Sequence, residues 1–147
     1  MAISSGIAIK WKELAMGGHL PSISKNYTGF KMALFTSGTS LSNHTSIYKT
    51  TGEVSAGAST NYTAGGNICT VLSVSTAGSV AYMQFANQTW SSATFAAAGC
   101  LIYNTSTSTA NRTIAVIDFG GTKTATAGDF VITMPAVGAT TSIIRLA

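Results

Sequence analysis

The sequence predicts an all-β domain: an antiparallel β-sandwich, jelly-roll-like in form, preceded by an N-terminal arm. Three observations carry that prediction. Short runs of β-branched and aromatic residues recur from residue 30 to the end. Each run is bounded by Gly, Ser, Thr, Asn or Pro, the residues that punctuate strands. After residue 28 no segment has the 3.6-residue apolar period of a helix of useful length.

Residues 1–28 stand apart as an arm or lead-in, and 29–147 form the single sandwich domain. The lead-in holds Trp11, Glu13, His19 and Pro21, and "WKELAM" gives at most a short helix ended by Gly17-Gly18. "FKMALFT" (30–36) alternates Phe30, Met32 and Leu34 with Lys31, Ala33 and Phe35, as a strand requires. "NICTVLSVS" (67–75) places Ile68, Leu72 and Val74 on one face. "SVAYMQFA" (79–86), "GCLIYNT" (99–105), "RTIAVIDFG" (112–120), "DFVITMP" (129–135) and "TSIIRLA" (141–147) complete the series. "STAG" (75–78) and "FGGTKTATAG" (119–128) read as hairpin connections, and "NTSTSTAN" (104–111) as a longer polar loop. "TTGEVSAGASTNYTAGG" (50–66) reads as a long connection in which Gly65-Gly66 turn the chain into the next strand.

Charge is the unusual quantity. Of 147 residues, 8% are Asp, Glu, Lys or Arg, against about 25% in an average soluble protein. None of the four occurs from Val54 through Asn111. A membrane-spanning helix needs about 20 nearly continuous apolar residues, and Ser, Thr, Asn and Gln interrupt every run here. Disordered chains are poor in aromatics and rich in charge, the opposite of this composition. The remaining class is an ordered domain with a hydroxyl- and amide-rich surface. Such a surface costs less to desolvate than a charged one and suits packing against other proteins.

The net charge of +4 rests on eight scattered cations, too thinly spread for a nucleic-acid patch. The N-terminus has no basic region followed by an apolar core, so no secretory signal is read and synthesis in a reducing cytoplasm is expected. Cys69 and Cys100 lie in apolar strand-like runs, where buried free thiols are the expectation. The six N-x-S/T sites at Asn26, Asn43, Asn61, Asn87, Asn104 and Asn111 follow from the turn and strand-edge preferences of Asn and Thr.

Catalytic chemistry has little material. Glu13, Glu53, Asp118 and Asp129 are far apart in sequence, and the last two sit at strand ends, where capping is the expected role. His19 and His44 have no Cys or acid at metal-ligand spacing. "DFG" (118–120) lacks the rest of a kinase, and "GGTKT" (120–124) lacks the spacing of a phosphate loop. No enzyme, cofactor or metal is expected. Trp90, Tyr62 and Tyr82 suggest a sugar-stacking surface, but burial of such large aromatics is the preferred reading.

Four blocks in order, "TTGEVS…YTAGG" (50–66), "TWSSATFAAAGCLIYN" (89–104), "IAVIDFGGTKTATAGDFVITMP" (114–135) and "IIRL" (143–146), resemble small virion proteins of tailed bacteriophages. The resemblance covers residues 30–147, with "AGASTN" (56–61) as a partial insertion. It implies a component of the particle, namely a capsid decoration or cement protein that binds the major capsid protein as a homo-oligomer, dimer or trimer. The implied location is the capsid surface of the virion. A tail or fibre component with a carbohydrate-binding role is the alternative. Lys10, Trp11 and Lys12 are the expected contact to the shell, since an aromatic anchor flanked by cations is a common hot-spot composition. Glu53 and Tyr62, in the long connection, are the further partner-binding candidates.

Overall fold

A computed structural model of the chain describes residues 2–18, 23–106 and 111–147. His19, Pro21 and the middle of the polar loop at 104–111 lie outside the described residues.

Among the described residues there are eight strands and one helix. They are β1 (Gly6–Ile7), α1 (Ile9–Met16), β2 (Phe30–Phe35), β3 (Asn67–Cys69), β4 (Val71–Ala77), β5 (Val80–Phe85), β6 (Gln88–Asn104), β7 (Arg112–Ile132) and β8 (Ile144–Leu146). They divide into a five-stranded sheet, β1-β7-β6-β2-β3, and a three-stranded sheet, β4-β5-β8. Every strand pair is antiparallel. The antiparallel all-β sandwich predicted from the strand runs is therefore the observed architecture, with the strands divided five and three.

The predicted strand at 67–75 is two strands in two sheets. β3 pairs with β2 through Cys69↔Phe30, and β4 pairs with β5 through Val71↔Phe85. One run thus forms a corner shared by both sheets. An extra residue at Leu72 shifts the register between Val71 and Ser73 and resets the side-chain alternation. Val74 then falls opposite Met83, and Ile68, Leu72 and Val74 are all exposed.

The larger departure concerns β6 and β7. The predicted hairpin at 119–128 is absent, and β7 runs through it. Ala97 pairs with Lys123 and Gly99 with Asp118: an advance of two on β6 (99 − 97) meets five on β7 (123 − 118). Gly120 (φ 71°) and Gly121 (φ 133°) lie in that excess, in conformations that a Cβ disfavours. Glycine in a strand marks a bulge as readily as a turn, so sequence alone did not separate the two. The bulge bends the ribbon on itself. Phe119 and Phe130 have ring centroids 6.2 Å apart, whereas a straight strand would place them roughly 35 Å apart.

The main core fills the space so enclosed. Phe30 is its hub, in edge-to-face contact with Trp11, Tyr27 and Phe85 at 5.8, 5.2 and 5.5 Å. A second cluster, with Ile3, Ala33, Phe35, Leu41, Leu101, Tyr103 and Val116, lies under the connection between β2 and β3. Residues 3–11 of the expected arm are built into the body. Ile3 bridges to Leu41, β1 pairs with β7, and Ala8 and Trp11 are buried in the main core.

Candidate functional site

The densest polar arrangement lies in the long connection, on Glu53. Its Oε1 accepts hydrogen bonds from the Tyr62 hydroxyl and the Gly65 amide, each at 2.7 Å. Its Oε2 accepts from the Tyr48 hydroxyl at 2.6 Å. Tyr62 in turn accepts from the Leu34 amide of β2 at 2.9 Å, and the Tyr103 hydroxyl of β6 donates to the Gly65 carbonyl at 2.8 Å. Tyr48 stacks on Tyr103 at 4.5 Å. The carboxylate therefore ties an irregular loop to two strands of the large sheet.

Local chemistry explains why the loop folds this way. Gly65 and Gly66 have φ of 87° and 77°, and the Gly66 amide donates to the Thr63 carbonyl at 2.9 Å. That is the turn predicted to lead into the strand at 67. It aims the Gly65 amide at Glu53. Val54 then follows Glu53 into the core, its amide donating to Leu34 at 2.9 Å.

Burial governs the titration of these groups. It pushes the Tyr103 hydroxyl up to about 12, with Glu53 adding to the shift. Burial also raises Tyr48 and Tyr62 well above the ordinary phenol range, and their bonds to Glu53 push in the same direction. In Tyr62 the amide of Leu34 opposes the rise in part. All three phenols act as neutral donors. The arrangement holds backbone in place, and the carboxylate's acceptor capacity is engaged by the protein itself.

Other predicted residues fall in different surroundings. Trp11 is 2% exposed, so the expectation of a surface anchor there is corrected: the indole is inside the core. Its flanking cations remain accessible, with Lys12 exposed and Lys10 paired to Glu13 at 2.8 Å. Tyr62, 3% exposed, is likewise too enclosed for direct partner contact. Glu53 is half-buried and faces Tyr48, Tyr62 and the Gly65 amide. The five candidates come from two parts of the chain, Lys10, Trp11 and Lys12 from α1 and Glu53 and Tyr62 from the long connection.

Trp90 packs with Tyr62 and Phe130 inside the core, in line with the preferred reading of Trp90 and Tyr62, whereas Tyr82 is half-buried. Trp90 forms no exposed stacking surface. Asp118 accepts from the Gly120 amide at 3.0 Å and Asp129 from the Ser92 amide at 3.3 Å, the capping expected of them. Cys69 and Cys100 are buried free thiols, and burial pushes Cys69 up to about 12. Exposed His44 donates its amide to Ser42 at 3.2 Å. Among the described residues no three His, Cys, Asp or Glu side chains gather as a metal site, and no helix is long and apolar enough to cross a membrane.

Sequence reasoning missed what lies on the outside of β3 and β4. Ile68, Leu72 and Val74, which alternation placed on one face, are exposed, 54%, 42% and 47%. Their surroundings in sequence carry no charge. Compared with family models, curated proteins and solved structures, the chain matches none.

Proposed function

We propose that the chain is a structural component of a tailed-phage particle: a capsid decoration, or cement, protein that binds the major capsid protein as a homo-oligomer on the shell surface. The observation that carries this reading is the outward face of the corner run. Ile68 and Leu72 stand exposed on β3 and β4, within the stretch from Val54 to Asn111 that holds no Asp, Glu, Lys or Arg. Lys31 of β2 lies opposite Ile68, and the hydroxyls and aliphatics beyond it lose little hydration free energy on being covered and gain from the apolar area removed from water.

The mechanism is contact multiplied by copy number. Each subunit adds a modest interface across a boundary between capsomers. Repetition over a closed shell converts many weak contacts into a large effective affinity. A rigid loop serves this role, since a surface already ordered loses little entropy on binding, and the Glu53 arrangement supplies that order.

The test is occupancy on particles. Purified heads should carry the native chain, while Ile68→Asp with Leu72→Asp should abolish attachment without altering the melting temperature. Unchanged occupancy in that double variant, with the fold intact, would remove the corner run from the interface.

A further inference from the structure

The two sheets of the sandwich are joined at the β3–β4 corner, so their strands follow one another in a single order around the core. β3 and β4 are successive parts of one run, and the chain before β2 borders it on one side. Asn26 donates to the Val71 carbonyl at 2.8 Å and Val71 to the Tyr27 carbonyl at 3.1 Å, while β5 pairs with β4 on the other side. The order around the molecule is therefore β1-β7-β6-β2-(β3–β4)-β5-β8. Its two ends, β1 and β8, are not hydrogen-bonded to each other in either sheet.

Strand direction fixes what can close that gap. Six antiparallel steps separate β1 from β8, so the two run parallel. Seven antiparallel strands cannot close on themselves with antiparallel pairing, because the number is odd. One more strand, antiparallel to both neighbours, would complete the ladder. A cleft of about 380 Å³ opens at this seam, lined from one side by Gly6, Ile7 and Ile117 and from the other by Ser142, Ile143 and Arg145. A neighbouring cleft of about 420 Å³ shares Ile7, Ile143 and Arg145 and adds Val80.

We infer that the seam between β1 and β8 accepts an extended segment of another protein, bound as an added strand antiparallel to both edges. Unpaired strand edges offer rows of amide and carbonyl groups that such a segment satisfies. The lining specifies its chemistry. Ile7, Ile117 and Ile143 call for apolar side chains at alternate positions. Arg145 is the charged residue among those described in both clefts, and its guanidinium donates to the Thr140 carbonyl at 2.7 Å with no carboxylate beside it. The segment therefore carries an acid on its outward face.

A second copy of this chain does not fit that requirement. Glu13 lies on the helix α1, Glu53 is held by two phenols and an amide, and Asp118 and Asp129 lie in β7, already paired with β6, so none sits on a free extended segment. The donor is a different protein. The assembly reading above bears on which protein supplies the strand; acceptance by the seam is testable without a particle, so either can fail alone.

The probe is the blocked peptide SVTVDVS, titrated into the full-length chain while backbone amide shifts are followed. Saturable shifts should centre on Gly6, Ile7 and Ile144–Leu146, with slowed hydrogen exchange at those amides. The lysine peptide SVTVKVS should bind about fivefold more weakly, the scale of one exposed ion pair. Arg145→Glu, at an exposed position, should reverse that preference while keeping the melting temperature. The inference is overturned by an absence of saturable binding, by equal binding of the two peptides, by shifts centred on another edge, or by self-association of the chain through β8 in place of peptide binding.

Discussion

The carboxylate of Glu53 accepts three hydrogen bonds in a half-buried site, so its removal leaves two phenols and an amide without their acceptor. Glu53→Ala should destabilise the fold by about 2–4 kcal/mol, given the usual contribution of bonds to charged groups and the cost of stranded partners. Glu53→Gln, which keeps an acceptor oxygen, should cost less. Urea denaturation monitored by tryptophan fluorescence measures both. The phenols add a pH dependence. Tyr103 titrates near 12 in the fold against about 10 unfolded, and Tyr48 and Tyr62 are raised as well. Below about pH 10 the phenols are protonated in both states and their contribution is full. Above it the unfolded chain releases protons first, so stability falls as pH rises and is lost through about pH 12. Denaturation midpoints measured from pH 8 to pH 12 should therefore be flat and then decline. A rising midpoint above pH 10 would contradict the assignment.

The same residues show what a sequence can reveal at this scale. Glu53 was visible as the lone acid in a Gly- and hydroxyl-rich stretch. Its partners were not, because the meeting of Tyr48, Tyr62 and Gly65 depends on how an irregular loop coils. Trp11 illustrates a different ambiguity: flanking lysines suggest a docking anchor, yet the energy of burying an indole, about 1.5–3 kcal/mol or more, is gained equally against Phe30 within the chain.

Among the elements, strand existence was legible and strand extent was not. β2 and β5 lie where the runs of alternating residues placed them. β6 and β7 are far longer than predicted, since Ser, Thr and Gly within them read as loop until the partner strand is known. The glycines separate two roles that look alike in sequence. A Cβ at Gly66 would overlap the Met32 carbonyl oxygen, at a φ of 77°. Gly78, in the β4–β5 turn, has a φ of 59° with open space around it. Gly66→Ala should destabilise by more than about 2 kcal/mol, through strain and displacement of β2 together. Gly78→Ala should cost about 1 kcal/mol, from the left-handed conformation alone. Thermal denaturation of the two variants compares them directly, and equal losses would mean that the Gly65-Gly66 turn does not press on β2.

At the scale of the whole molecule, composition predicted a surface suited to contact, and the sandwich followed from strand count and turns. The bent β6–β7 ribbon, the shared corner at β3–β4 and the seam between β1 and β8 are properties of pairing between residues distant in the chain, which one sequence read alone does not specify. The central claim is that this surface attaches to a capsid. A density map of the intact particle, with and without the chain, tests it most directly. The account predicts copies on the order of hundreds, ordered on the outer face of the head shell, each with the β3–β4 corner against a neighbouring capsid subunit. Particles that lack the chain, or that hold a few copies confined to the tail, would contradict it.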